Sequence, residues 1–420
     1  MGFLTEFNAV SDNNPQAQVG TVVKWLRGNW REMFGELRES CPILPTPAFT
    51  LVTRATDVLD ILAQPSLYSV KANRLTMDPS VGPFMLARDE TAVNWHEKSL
   101  MRAVLRWDDL PDVRALARKI SADSVANAAG NMLDIIPSVG RLVPLRIVQH
   151  IFGFGGSDAD MLRWSFATQH AMFRNLPFNP DVVAKCVTAG QEMQAWLWPF
   201  LAAKWAAAPV SGNDAVSRLV NLSRLSAAGL AADRVVSNVC GLLVGSIETM
   251  NQAIAQTVDQ FLAHPKWLKA ALTADASGDI ARFDGYVFEA LRFNPITTVQ
   301  FRLAEADRVI GAGTAYATPV KAGTVVAVCT GSAMFDADLM PYPETFNPAR
   351  PANSYLHFGI GHHDCLGRHV GQVAIPEAVR QIIRLPNIRR AAGAAGKIDF
   401  SQGPFPEHFT VAWNATPKPK

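Results

Sequence analysis

Apolar residues follow two rhythms along the chain. From about Asp89 to Leu291 they recur every third or fourth position, the spacing of helix faces, and Pro111, Pro137, Pro177, Pro209 and Pro265 mark the predicted breaks. Ahead of this block, Phe49-Thr50-Leu51-Val52 predicts a short strand and Thr56 to Leu62 a helix. Behind it, Val299 to Leu303, Arg308-Val309-Ile310 and Gly323 to Val328 predict strands separated by glycine turns, and Arg368 to Ile383 predicts another helix. The fold class is mainly α with a minor β region. No internal repeat interrupts the chain, so residues 1–420 read as a single domain, with Pro417-Lys418-Pro419-Lys420 as a frayed tail.

One stretch stands apart. Asp233 to His264 contains no proline and only Gly241 and Gly245, which predicts one helix of roughly 32 residues and about 48 Å. Its apolar residues encircle it around Val239 to Ile247, so it is expected to run through the interior. That places Ser246, Glu248, Thr249 and Asn251 on a buried helix, where a carboxylate is costly unless paired or functional.

Composition narrows the function. Of 420 residues 49% are hydrophobic and 18% charged, which excludes a disordered chain and implies a large interior or an apolar cavity. A net charge of +2, from 39 basic against 37 acidic residues, lacks the basic excess that binding nucleic acid demands. The five cysteines are scattered, odd in number and never in a Cys-x-x-Cys pair; this argues against a disulfide framework or structural zinc and points to a reducing cytoplasm. The first residues show neither an export signal nor a lipidation motif. Met193 to Val210, with Trp196, Trp198 and Trp205, comes nearest to a membrane span, but Pro199 and Lys204 interrupt it, so it reads as a buried or lid helix, with an interfacial helix as the alternative.

The densest chemistry lies in Phe358-Gly359-Ile360-Gly361-His362-His363-Asp364-Cys365-Leu366-Gly367, a turn that opens a helix. Glycines let the backbone approach something flat or bulky, and a cysteine just before a helix gains thiolate character from the helix dipole. Read alone, Cys365 is a metal ligand, a nucleophile or simply a small buried hydrophobe. Zinc is disfavoured because adjacent His362, His363 and Cys365 cannot all point at one tetrahedral centre; a Cys-His hydrolase would give the glycines no purpose.

This loop resembles the haem-binding loop of the cytochrome P450 family, Phe-x-x-Gly-x-(His or Arg)-x-Cys-x-Gly, with every fixed place filled by Phe358, Gly361, His363, Cys365 and Gly367. The resemblance implies a triangular single-domain P450 fold with its haem-binding core at about residues 233–385, haem b as cofactor, and Cys365 as the ligand to iron. It implies that Phe358 packs beneath the sulfur, that Gly359, Gly361 and Gly367 open the backbone toward it, and that His363, Arg302 and His96 meet haem propionates. Glu289 and Arg292, one helical turn apart, match the family's Glu-x-x-Arg pair, with Arg350 of the proline-rich segment as third member; by themselves the first two read as a surface ion pair. Glu248 and Thr249 match its acid-alcohol pair: splitting an oxygen-oxygen bond needs two protons, which a hydroxyl and a buried acid can relay. Two positions depart from the pattern: Ser246 follows Gly245 where the family has a second small glycine, and Leu100 stands where His96 would have an arginine partner.

The implied activity is oxidation of a small apolar terpenoid, steroid, fatty-acyl or aromatic substrate by O2. Electrons would come from a separate ferredoxin and NAD(P)H-dependent reductase, because the chain shows no dinucleotide loop or iron-sulfur cysteine set. Leu243, Ile247, Ile296, Thr297, Val299, Phe405 and the loop Met77 to Leu86 are the expected pocket, and Arg368, His369 and Arg380 the expected docking face of a monomer. A haem-thiolate peroxygenase or isomerase, and a non-catalytic haem sensor, are the alternatives.

Overall fold

The computed structural model describes residues 2–10, 14–89, 91–175, 179–207 and 209–414; the expected break at Pro177 and the tail at residues 417–420 lie outside them. The chain forms two compact units, one of Met1–Ala72 with Pro295–Cys365 and the other of Asn73–Asn294 with Leu366–Lys420.

The first unit is built on a five-stranded sheet in the order Ile43–Pro45, Thr50–Val52, Val325–Val328, Gln300–Ala304, Tyr68–Ser69. Val325–Val328 runs parallel to Thr50–Val52 and antiparallel to Gln300–Ala304. Its run of β-branched residues suits a strand whose last three positions are buried. Trp25, Phe34, Leu37, Leu51 and Ala327 share one apolar cluster. The three strands expected after residue 298 are present to within two residues, and Arg308–Ile310 matches to the residue. Its ribbon partner Thr318–Val320 carries Pro319, a residue that argues against a strand except at an edge, and escapes prediction for that reason.

The second unit is mostly helical. Pro111 and Pro265 sit in the first turns of Leu110–Ala126 and Pro265–Ala276, where a missing N–H costs nothing. Pro137 lies in a π-turn, Ile136–Gly140, and Pro209 falls between Pro180–Ala206 and Ala215–Ser223. The expected buried helix is present: Pro180–Ala206 continues through Pro199 and buries Met193, Leu197 and Leu201 as one stripe. Among the described residues no helix is long and apolar enough to cross a membrane. A small sheet of Met132–Asp134, Thr410–Ala412 and Arg389–Arg390, too short to leave a period in the sequence, completes the unit.

The single long helix expected from Asp233 to His264 is instead two, Ala232–Val244 and Glu248–Ala263. The break has a local cause. Ser246 Oγ donates to the carbonyls of Leu242 and Leu243 at 2.6 and 3.2 Å, and Thr249 Oγ1 donates to Gly245 O at 2.8 Å. These hydroxyls compete for backbone carbonyls beside a glycine that adds no helical preference of its own. All-round burial falls on either side of the break, at residues 235–241 and 250–258, and not across Val239 to Ile247 as expected, where Leu242 and Ser246 are half-buried and Gly245 is exposed. A Cβ on Gly241 would come within 2.5 Å of the Phe84 ring, so glycine lets that ring lie on the helix.

The helix Arg368–Ile383 matches its predicted bounds and is buried from Ala374 onward save for the half-buried Gln381. Glu377 is wholly buried and accepts from Arg118 Nε and Gln381 Nε2, each at 2.9 Å, and pairs with Arg380. Arg380 is 3% exposed and also faces Asp275 and Asp284, which corrects its expected place on a docking face: its charge is spent inside the fold.

Candidate functional site

In the first unit the cysteine loop closes on itself. Gly359 N donates to Leu356 O (3.0 Å), Asp364 N to Gly361 O (3.2 Å) and Cys365 N to Phe358 O (2.8 Å). Gly359 and Gly361 take φ of 65° and 70°, left-handed values that a side chain would strain. At Gly361 a Cβ would stand 3.0 Å from Leu62 O, so only glycine lets the loop lie this close to the helix Ala55–Ala63. Phe358 and His363 are half-buried.

Cys365 is exposed at the end of this loop, whereas Cys186, Cys240 and Cys329 are buried and Cys41 is partly so. Burial pushes the thiols of all four others up, keeping them protonated and inert.

Arg302 lies on the strand Gln300–Ala304 of the same unit. It is only 8% exposed. It donates to Phe301 O (2.9 Å) and Gln300 Oε1 (3.3 Å), and the Gln300 amide lies 3.4 Å from where a Cβ of Gly359 would be. Ile296, Thr297 and Val299 are half-buried, with Thr297 Oγ1 donating to Val299 O at 2.9 Å. Arg350 ties down its own segment through the carbonyls of Pro341, Tyr342 and Thr345 at 2.8, 2.9 and 3.1 Å.

In the second unit, the interruption of the central helices leaves Gly245 exposed, with open space where a Cβ would project: the nearest atom is Leu242 O at 3.9 Å. Ser246 and Thr249 are half-buried beside it, while Leu243 and Ile247 are buried in the apolar cluster of the unit. Glu289 and Arg292, on the helix Ile280–Phe293, are both wholly buried, which corrects their isolated reading as a surface pair. His96 is exposed, with Leu100 half-buried one turn on. Phe405 is wholly buried, its ring centroid 5.6 Å from that of Phe166. Gly367 caps the helix Arg368–Ile383, and the His369 ring in its first turn packs against Trp107 at 3.8 Å between ring centroids, tilted by 40°; Trp107 is 66% exposed.

Glu248 is engaged in a way the sequence did not reveal. Its carboxylate is wholly buried and accepts from Arg141 Nε at 2.8 Å and from Asn251 Nδ2 at 2.9 Å. Arg141 also grips Glu407, Nη1 to Oε2 at 2.7 Å and Nη2 to Oε1 at 2.9 Å. Burial pushes the Glu248 carboxyl up, and Arg141 and Asn251 pull it only partly back. Among the described residues no hydrogen bond joins Glu248 to Thr249. Asn251, one turn after Glu248, could have been read from spacing; Arg141 and Glu407, 107 and 159 positions away, left no signal.

Among the described residues no group of three or more His, Cys, Asp or Glu is placed to hold a bare metal ion. The donor set is one exposed sulfur at the end of a glycine loop, which fits a planar group carrying its own metal. A family model described as Cytochrome P450 matches residues 229–385. The chain is 24% identical over 392 residues to the steroid C26-monooxygenase of Mycolicibacterium smegmatis, covering 91% of this chain and 93% of that one. It is 26% identical over 370 residues to a bifunctional dioxygenase-epoxy alcohol synthase of Fusarium oxysporum, covering 80% of this chain but only 28% of the relative; it spans about a quarter of the length of such relatives. The crystal structure of CalO2 superposes with a TM-score of 0.79 at 19% identity, covering 93% of this chain and 97% of that one, which establishes the fold. Over residues 229–385 the chain is similar to the cytochrome P450 family, and its fold is that of the CalO2 structure.

Proposed function

We propose that this protein is a haem-thiolate monooxygenase that oxidises a small apolar substrate of terpenoid, steroid, fatty-acyl or aromatic type. The observation that carries the reading is the exposure of Cys365 at the end of its glycine-framed loop while burial keeps the other thiols protonated. Haem, when bound, would supply binding and reductive activation of O2. Cys365 would hold the iron, Phe358 would shelter the sulfur, and Arg302, His363 and His96 would hold the propionates. Gly359, Gly361 and Gly367 keep the loop backbone free of side chains, and Gly245 leaves room for a small molecule beside the central helix. Thr249 offers its hydroxyl there, and Glu248 a carboxyl whose proton affinity is raised by burial, so the pair can relay protons toward the reacting oxygen. Glu289, Arg292 and Arg350 fix the surrounding backbone. Leu243, Ile247, Ile296, Thr297, Val299 and Phe405 would give the pocket its apolar walls. Residues 1–420 would act as one catalytic domain, monomeric and cytoplasmic.

Electrons would come from a separate ferredoxin and its NAD(P)H-dependent reductase, seated near Arg368 and the Trp107-His369 pair, whose exposed indole offers an aromatic anchor. The steroid C26-monooxygenase relative supports an apolar substrate. A peroxygenase or isomerase is the second reading, favoured by the likeness to dioxygenase-epoxy alcohol synthases and by the engagement of Glu248 with Arg141 rather than Thr249.

The test is spectroscopic. Reduced protein with carbon monoxide is expected to show the red-shifted Soret band of thiolate ligation, and Cys365→His to lose it; an unchanged band in the variant overturns the assignment. Electron-dependent O2 consumption then supports the monooxygenase, and turnover on peroxide alone the second reading.

A further inference from the structure

We propose that Glu407 is a positioning residue that shares Arg141 with Glu248 and thereby keeps the buried Glu248 carboxyl able to take up and release a proton. The inference rests on Glu248 serving the proton relay proposed above.

The geometry is that of one cation held between two carboxylates. Arg141 follows the π-turn Ile136–Gly140 and gives its Nε to Glu248 and both terminal nitrogens to Glu407. Side-chain exposure is 1% for Glu248, 15% for Arg141 and 17% for Glu407, so the cluster runs from the interior toward solvent. Asn251 fixes its inner end, donating to Glu248 Oε2 and, at 3.1 Å, to the carbonyl of Pro406, the residue before Glu407. Gly140 makes room, since a Cβ there would lie 2.3 Å from Asn251 Oδ1. The outer end is held by Glu407 N donating to Asp399 O at 2.9 Å. Other charged groups nearby are the His408-Asp134 pair and Asp399 on the Glu407 side, and Arg174 across the Phe405 ring.

Charge decides the behaviour. With both carboxylates ionised the cluster carries one excess negative charge in a poorly solvated site, and one proton from solvent neutralises it. That proton settles on the more desolvated carboxyl, Glu248, while Glu407 keeps Arg141 in a bidentate grip, so no buried guanidinium is stranded. Without the charge of Glu407, Arg141 and Glu248 already form a neutral ionised pair. Glu248 is then held as a carboxylate and gives up its role as proton source.

The experiment is a pH titration of holoenzyme by infrared difference spectroscopy, following the carbonyl stretch of protonated Glu248, assigned by its loss in Glu248→Gln. In Glu407→Gln this band is expected to titrate at lower pH than in wild type, and in Glu407→Asp to return toward it; the fraction of reductant lost to peroxide rises in the first variant and recovers in the second. A band that titrates identically in wild type and Glu407→Gln overturns the proposal. Should Glu407→Gln fail to fold, Arg141→Lys replaces it: lysine cannot bridge both carboxylates, and a wild-type titration in that variant overturns the proposal equally. Failure of the underlying haem-thiolate reading would show separately, as a wild-type protein without the red-shifted carbon monoxide band.

Discussion

Arg292 closes on Glu289 through two hydrogen bonds, Nε to Oε2 at 3.0 Å and Nη2 to Oε1 at 2.6 Å, with neither side chain exposed. Spacing alone fits a surface pair worth a few tenths of a kcal/mol, but burial reverses the scale, because removing one partner leaves the other charge desolvated. Glu289→Ala is expected to lose about 3–5 kcal/mol of stability. The double variant Glu289→Leu/Arg292→Met should lose much less. Denaturant unfolding of the three proteins checks this, and equal losses in single and double variants would contradict it.

Acid stability should depend on Glu377. Burial alone would raise its carboxyl, but Arg118, Arg380 and Gln381 outweigh burial and hold it below the usual range. A depressed carboxyl contributes stability that is present above its unfolded pKa and lost as pH falls through its folded pKa. Glu377→Gln should therefore be markedly less stable than wild type near neutrality, with the gap narrowing as the solution is acidified. Melting temperatures measured across that range decide; a gap of constant size would contradict the expectation.

Thr249→Ala should retain haem and consume reductant while diverting oxygen to peroxide, because the hydroxyl beside Gly245 is gone while Glu248 keeps its partners. Peroxide released per reductant consumed is the readout. Full coupling to product would remove Thr249 from the relay.

The exposed Trp107 ring, packed against His369, should contribute to seating an electron donor. Trp107→Ala is expected to weaken a productive ferredoxin by about tenfold, equivalent to roughly 1.4 kcal/mol. Its carbon monoxide spectrum under a small-molecule reductant should stay unchanged. Reduction rates against ferredoxin concentration test this, and unaltered kinetics would move the docking face elsewhere.

What could be read from the chain was what is settled within a few residues. The ten positions from Phe358 to Gly367 define their own turn, so the glycine-framed loop that presents Cys365 was legible before any fold was known. The bounds of Arg308–Ile310 and Arg368–Ile383 followed from local period and turn residues. The long helix was misjudged at Gly245 to Ile247, although Ser246 and Thr249 carry the hydroxyls that break it, because apolar period outweighs such competition in a sequence reading.

Tertiary structure decided the rest. It buried Arg302, Glu289 and Arg292, drew Arg380 inward away from solvent, and set Arg141 and Glu407 on Glu248 from 107 and 159 positions away. Backbone preference acts between neighbours and so leaves a mark in the sequence. Desolvation and ion pairing depend on which distant segments pack together, and these determine whether a charge is ornament, scaffold or proton source.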